Sequence, residues 1–553
     1  MQLSAPEAVQ AQVQTWLKEY GHPEVAIAHL LCDRHAQAPD TVALVYEDAA
    51  EREARYTFPE LRDLSAKWAG VLYGLGVTKR DRVATLLPKT PELLITTLAL
   101  WRLGAVYVPL FTAFGPQAIA YRVANSAARV VVTDPTNRAK IDQARGLLGT
   151  QSASLARIVT VEGPDGDRCV PPGDIPFWAA LEAAVPVGTP VASTGEDVLI
   201  LIYTSGTTGE PKGVEVPVKA LASIEAYMRF GLELRDDDVF WNMADPGWAY
   251  GLYYGLVGVL LLGKASLFFN APFDVQATYR ILQKYGVTNL TAAPTAFRLM
   301  RAAGGPTAGT HQLRLRVASS VGEPLNPDVI TWAAEHLGVP IYDHYGQTEL
   351  SMVVMNHHLP ALQRPLRPGS MGHALPGFRV VILDEAGTEL GPGHEGQLTV
   401  DTQQSPLYWF QGYYQAPERT AERFTGGGRY YLTGDTASQD TDRYVFFTGR
   451  NDDIITSAGY RIGPFEPESV LMGHAVVAEV AVVGKPDPLR GEVVKAYVVV
   501  KPGYTPSAAL AEELRQFVRA NLSAHAYPRE VEFVDQLPKT PSGKIQRFLL
   551  RSW

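Results

Sequence analysis

The sequence predicts an α/β protein built as a large N-terminal lobe of several subdomains and a small, mobile α+β C-terminal lobe. Three observations predict it. The chain has 553 residues, too many for one hydrophobic core. Strand-like and helix-like patterns alternate along it, which implies parallel sheets covered by helices. A compact polar stretch, residues 449–453, is followed by only about a hundred residues, the size of one small domain.

Each element follows from its pattern. Residues 58–73 carry apolar side chains at helical spacing, 81–87 read as a short strand, 91–103 return to helix and 105–109 to strand. The rhythm recurs at 128–133, at 158–161 and again from Asp197. After the aromatic strand at 444–447 and the polar stretch come apolar strands at 476–483 and 493–500, then a helix around 508–522. The expected division is therefore 1–451 and 452–553, with Asp452 as the hinge. The longest apolar stretch, 249–262, is interrupted by Gly251, Gly255 and Gly258. It is too short to cross a bilayer and reads as buried helix.

Composition narrows the function classes. Hydrophobic content of 46% with 19% charged residues is ordinary for a globular protein. A formal net charge of −9 argues against a nucleic-acid partner, which usually demands a basic excess. Cys32 and Cys169 stand in unrelated contexts and offer neither a disulfide framework nor metal-ligand spacing. Residues 1–20 have no continuous apolar core of the signal-peptide kind. A cytoplasmic protein without stable membrane association is expected.

Five short segments carry chemistry. In residues 203–214 (Tyr-Thr-Ser-Gly-Thr-Thr-Gly-Glu-Pro-Lys-Gly-Val) a buried apolar strand leads into hydroxyl and glycine residues that end in a lysine. Glycines let backbone N–H groups turn inward and hydroxyls add donors, so Thr204, Ser205, Gly206, Thr207, Thr208, Gly209 and Lys212 can wrap a polyphosphate. A flexible linker shares this composition, but the strand in front argues against one. Residues 342–349 (Tyr-Asp-His-Tyr-Gly-Gln-Thr-Glu) offer the flat face of Tyr345 to a base, the Thr348 hydroxyl to phosphate and Glu349 as a hard oxygen ligand for Mg²⁺. In residues 431–435 (Tyr-Leu-Thr-Gly-Asp), Asp435 follows a strand end, where a carboxylate can accept ribose hydroxyls. A turn aspartate is the commoner reading of Gly-Asp taken alone. The last two are 449–463, starting Gly-Arg-Asn-Asp-Asp, and 537–547, Leu-Pro-Lys-Thr-Pro-Ser-Gly-Lys-Ile-Gln-Arg. In the latter, prolines and a glycine hold the loop before Lys544, while Ile545 and Phe548 anchor it behind.

Together and in this order, the five segments resemble the adenylate-forming superfamily: acyl-CoA synthetases, adenylation domains of peptide synthetases, and luciferases. Residues 242–251 (Asn-Met-Ala-Asp-Pro-Gly-Trp-Ala-Tyr-Gly) and 457–464 look most like medium-chain acyl-CoA synthetases. The resemblance implies ATP, coenzyme A and Mg²⁺ as cofactors and a small carboxylic acid as substrate. Thr204 to Lys212 would cover the β- and γ-phosphates. Gly322, Glu323 and Pro324, with Asp343, His344, Tyr345, Gly346 and Gln347, would frame the adenine. Thr348 would meet the α-phosphate, Glu349 the metal, and Asp435 and Arg450 the ribose, with Phe447 alongside. Lys544 would bridge the acid and the α-phosphate, and Gly459 and Arg461 would line the coenzyme A side. The sequence departs from the pattern at Pro467, where relatives usually have a β-branched residue, and at Val476 or Val477, where they usually have a proline.

A carboxylate is a poor target for a thiol because its leaving group would be oxide; joining it to AMP supplies a good one. Lys544 is expected to serve that first step and to withdraw for the second. It also resembles the lysines that an acetyltransferase and a deacetylase modify in relatives. Acetate-specific relatives place a tryptophan where Gly346 stands, so Trp248, Ala249, Tyr250, Val321 and Gly346 are expected to line a roomier apolar pocket. Medium-chain or branched fatty acids are the expected substrates, with benzoate-like acids as the alternative. A free-standing enzyme that loads a carrier protein, and a non-catalytic nucleotide-binding protein, are the competing readings. Subunit number is left open, a homo-oligomer included.

Overall fold

The computed structural model describes residues 6–148, 155–163, 170–204, 211–304, 312–450, 453–457, 460–488, 490–522, 526–540 and 544–553. Four sheets organise them. The first runs in the order Ile175–Pro176, Arg157–Thr160, Val130–Thr133, Arg82–Leu86, Val106–Pro109, Val198–Thr204 and Lys212–Pro217; all pairs are parallel except the last. Its central strands are buried on both faces, as the unbroken apolar runs demand.

The second sheet departs from expectation. Phe240–Asn242, Asn289–Ala292, Val317–Val321 and Ile341–Gln347 are parallel, but from Ser351–Met355 onward every pairing is antiparallel. The cause is the connection: only residues 348–350 join Ile341–Gln347 to Ser351–Met355, and so short a link permits a hairpin but no parallel crossover. A three-stranded sheet of Ser266–Asn270, Val42–Asp48 and Glu53–Thr57 completes the large lobe.

Helix Phe58–Gly74 starts where its sequence says it should. Thr57 accepts from the Glu60 N–H while the Glu60 carboxylate accepts from the Thr57 N–H, a reciprocal cap. The apolar stretch after Trp248 is buried helix, as expected, but its middle, Tyr253–Gly258, is wound as a π-helix. A second π-helical segment, Tyr227–Gly231, ends the helix Leu221–Ala226.

The small lobe has its own five-stranded sheet, with Gly491–Val500 and Val477–Asp487 at its heart, and its own apolar core around Leu471, Val482, Val498, Leu514 and Val518. Strand Val445–Arg450 runs through the start of the polar stretch, because Arg450 pairs with Asp435 on the neighbouring strand. Asp452 lies outside the described residues.

Candidate active site

The phosphate-loop candidates fall in sequence between two paired strands. Thr204 ends one strand and pairs with Lys212, which begins the next. Ser205, Gly206, Thr207, Thr208 and Gly209 lie outside the described residues. Gly213 is required by close packing: a Cβ there would meet Leu201, Tyr203 and Tyr414 at 3.0–3.2 Å. The Lys212 ammonium lies 4.9 Å over the Tyr413 ring. Burial, together with the nearby Arg423 guanidinium, depresses its pKa, opposed by Glu349.

Glu349 is buried in the turn after strand Ile341–Gln347, and its Oε1 accepts a hydrogen bond from the Tyr413 hydroxyl at 2.7 Å. Arg423 Nε donates to that same hydroxyl at 3.2 Å. Thr348, in the same turn, is fixed through its carbonyl, which accepts from the Tyr253 hydroxyl at 3.1 Å. Among the described residues no three His, Cys, Asp or Glu side chains gather as a metal cage. That donor set fits Mg²⁺, which takes one or two carboxylates and completes its shell with phosphate and water oxygens.

Asp435 is buried, and burial raises its pKa against the pull of Arg450. Its Oδ2 accepts from the Tyr345 hydroxyl at 2.5 Å and from Gln347 Nε2 at 2.9 Å; Arg450 Nη1 stands 4.0 Å from Oδ1. Gln347 also donates to the Thr433 carbonyl at 2.8 Å, so it ties the two candidate segments together. Phe447 is half-buried on the strand that delivers Arg450.

On the predicted adenine side, Gly322 adopts φ +98°, and a Cβ there would meet nothing within 4 Å. Glu323 is gripped by Arg298 and by the Thr295 hydroxyl, and Pro324 follows it half-buried. Asp343 is buried, and desolvation pushes its pKa up to about 8 despite backbone N–H donors from Leu325 and His344. The His344 ring points into the core: Nε2 bonds the Asn356 carbonyl at 2.9 Å and Nδ1 meets the Tyr227 hydroxyl at 2.8 Å. Burial lowers its pKa to about 3.

On the predicted acid side, Trp248 packs against Phe111 and Phe114, with ring centroids 5.4 and 5.5 Å away. Ala249 and Tyr250 open the following helix, half-buried, and Val321 ends its strand buried. Gly346 needs correcting. A Cβ built there would lie 2.2 Å from the Ser351 carbonyl oxygen and 2.7 Å from Met352, at the bulge between two paired strands. The glycine meets a close backbone approach and does not simply vacate the space of a larger side chain.

Lys544 projects from the small lobe into the cleft. Its loop is closed by Thr540 N donating to the Lys544 carbonyl at 2.7 Å and Lys544 N donating to Thr540 Oγ1 at 3.1 Å. The residue is exposed, but the protein mass around the cleft desolvates its amine and lowers its pKa. Glu323 opposes the shift most strongly, Arg450 adds to it, and Asp435 and Glu349 oppose it. One amine therefore feels the adenine-side, ribose-side and metal-side groups at once. Gly459 lies outside the described residues; Arg461 is placed by its backbone alone, opposite Thr456 in the small lobe's sheet. Tyr413, Arg423 and Tyr227 escaped sequence reading, since each arrives from a distant element with no local pattern.

The two lobes bring Lys212, the buried carboxylates Glu349 and Asp435 and the Lys544 amine into one electrostatic neighbourhood. Comparison with known proteins identifies the family. Residues 32–414 match the model of the AMP-binding enzyme family and 466–544 that of the AMP-binding enzyme C-terminal domain, so the chain belongs to the AMP-binding enzymes. It is 38% identical over 541 residues to the acetyl-coenzyme A synthetase of Bacillus subtilis (strain 168), covering 95% of this chain and 90% of that one. It is 35% identical to the mitochondrial acyl-coenzyme A synthetase ACSM3 of Rattus norvegicus, covering 92% and 86%. Among solved structures, an acyl-CoA synthetase of Brucella canis superposes with a TM-score of 0.77 at 48% identity, covering 100% and 99%. The chain is an AMP-forming acyl-CoA ligase that uses ATP, coenzyme A and Mg²⁺. No helix among the described residues is long and apolar enough to cross a membrane.

Proposed function

We propose that the protein joins a medium-chain or branched fatty acid to coenzyme A through an acyl-adenylate, with Lys544 serving only the first half-reaction. The observation that carries the division of labour is the position of the Lys544 amine within the combined field of Glu323, Asp435, Glu349 and Arg450. Adenylation brings a carboxylate anion against an anionic phosphate, and a cation between them cancels the repulsion. A unit charge at ~4 Å in an effective dielectric near 20 is worth about 4 kcal/mol, roughly a thousandfold in rate if felt only in the transition state.

The other roles belong to the same reading. Lys212 and the turn before it hold the terminal phosphates; Asp435, oriented by Tyr345 and Gln347, accepts the ribose hydroxyls; Glu349, braced by Tyr413, holds the metal. Mg²⁺ held at Glu349 would supply positive charge to offset that of the phosphates. No base is needed for the thiol, because a positioned thiol gains from proximity to a reactive adenylate. Rotation about Asp452 would then bring the Gly459 and Arg461 side of the small lobe to the site.

The preference for longer acids rests on similarity to the ACSM3 synthetase and on the aromatic wall of Trp248. The acetyl-coenzyme A synthetase relative supports acetate as the competing substrate. A panel of straight, branched and aromatic acids, read by coenzyme A-dependent pyrophosphate release, tests this. Acetate outrunning every longer acid would overturn the preference, and release that needs a phosphopantetheinylated carrier in place of coenzyme A would overturn the ligase assignment.

A further inference from the structure

Resting on that reading, we infer that Arg423 is a further phosphate-binding residue of the first half-reaction, gripping the pyrophosphate end of ATP together with Lys212. Both edges of its guanidinium are held. Arg423 Nε donates to the Tyr413 hydroxyl at 3.2 Å, and that hydroxyl donates to Glu349 Oε1 at 2.7 Å. On the other side Arg423 Nη1 reaches the carbonyl of Thr433 at 3.4 Å, next to the Gly434–Asp435 turn. Gly434 makes room for it: a Cβ there would stand 2.9 Å from Arg423 Nη1 and 3.8 Å from Arg450 Nη2. One guanidinium thus spans the brace of the metal-side carboxylate and the turn that carries the ribose-side one. A nucleotide with its ribose at Asp435 and its metal at Glu349 must run its phosphates between those two points.

Charge points the same way. The Lys212 ammonium lies 4.9 Å over the Tyr413 ring, so two cations share one tyrosine, one at its face and one at its hydroxyl. Neither makes an ion pair among the described residues. They stand close enough that Arg423, after burial, does most to depress the Lys212 pKa; Arg419 adds to this and Glu422 opposes it more weakly. Glu349 attracts both cations, but a carboxylate that holds Mg²⁺ has its charge taken up by the metal. Two cations without a counter-charge call for an anion, and both are only half-buried, so an anion can reach them. Donors are left over as well. A guanidinium has five N–H groups. One serves Tyr413 and one Thr433, and the rest form the fork that suits two phosphate oxygens at once.

The test uses the full-length enzyme with inorganic pyrophosphate as the probe. Arg423→Met should raise the KM for pyrophosphate in acid-dependent ATP–pyrophosphate exchange by about tenfold, the size of one lost charge-assisted contact. Thioester formation from supplied acyl-adenylate and coenzyme A should not change, because pyrophosphate takes no part in it. A bracing role alone would read differently. Acting through Tyr413, it would raise the Mg²⁺ requirement, as Tyr413→Phe does, and leave the pyrophosphate KM intact once Mg²⁺ is saturating. The exchange is therefore run at saturating Mg²⁺. Arg423→Gln, which keeps a donor but not the charge, gives the same reading where the methionine variant loses its fold. An unchanged pyrophosphate KM in the folded variant, or equal loss in both half-reactions, would overturn the role of Arg423 while the ligase assignment stands. Absence of exchange with every acid in the unaltered enzyme would sink both.

Discussion

Single residues give the sharpest expectations. Lys544→Ala should lose acyl-adenylate formation by about a thousandfold, measured as pyrophosphate exchange, yet still convert supplied acyl-adenylate and coenzyme A to thioester. Because its pKa is depressed from the ordinary 10.5, the charged form is lost earlier as pH rises. Adenylation should therefore fall off on the alkaline side below that value, while the thioester half-reaction shows no such limb. Asp343 supplies the opposite case, a proton held too long. The folded protein keeps it up to about pH 8, whereas an ordinary aspartate releases it near 3.8. Folding takes up a proton across that window, so stability falls as pH rises through it. Asp343→Asn should flatten the decline of the melting temperature between those pH values. Tyr413→Phe removes the hydroxyl that braces Glu349 and should raise the Mg²⁺ concentration needed for half-maximal activity by about tenfold, read by metal titration.

At the scale of elements, a buried ion network decides where the Lys544 loop sits. Arg547, three residues on, donates to Glu468 at 2.8, 2.9 and 3.2 Å and approaches Asp453 at 3.4 Å. It pins the chain's last helix, Arg547–Leu550, to the helix Phe465–Met472. Arg547→Met leaves Glu468 buried without a counter-charge, held only by the Val482 N–H at 2.8 Å, which should cost about 3–5 kcal/mol of small-lobe stability and slow adenylation more than thioester formation. Elements also show what a sequence can single out. The segments at 204–212, at Asp435 and at Lys544 stand out because each concentrates its candidate groups in a dozen residues or fewer. Tyr413 does not, because its partner Glu349 lies 64 positions away and only tertiary packing joins them. At Gly346 the sequence records a missing side chain but not the Ser351 carbonyl oxygen, which lies 2.2 Å from where a Cβ would stand.

For the whole molecule the question is how one cleft serves two steps. The lobes meet where Asn326 Nδ2 donates to the Ser469 hydroxyl at 3.1 Å, and Arg298, which grips Glu323, also reaches Asn326 at 3.4 Å. The contact thus joins the adenine-side loop to the small lobe in the arrangement that brings Lys544 into the site. Ser469→Ala removes the link without touching either core. It should slow adenylation by a few-fold, the size of one ordinary hydrogen bond, and leave the thioester step unchanged when the half-reactions are timed separately. The two-lobed plan was legible from length and from the polar stretch; the latch was not, because neither Asn326 nor Ser469 stands out in the sequence.

The widened turn at Tyr227–Gly231 has a consequence for how this chain can vary in length. A π-turn is one residue longer than the α-turn it replaces. Across this turn Tyr227 faces His344 while the Phe230 ring packs tilted against Trp16 of the N-terminal helix, with centroids 5.2 Å apart. Excising one residue between them would rewind the helix by about 100° and leave one of the two aromatic side chains facing the wrong way. Length here is a property under constraint, and a relative shorter by one residue at this turn must pack either His344 or Trp16 against a different side chain.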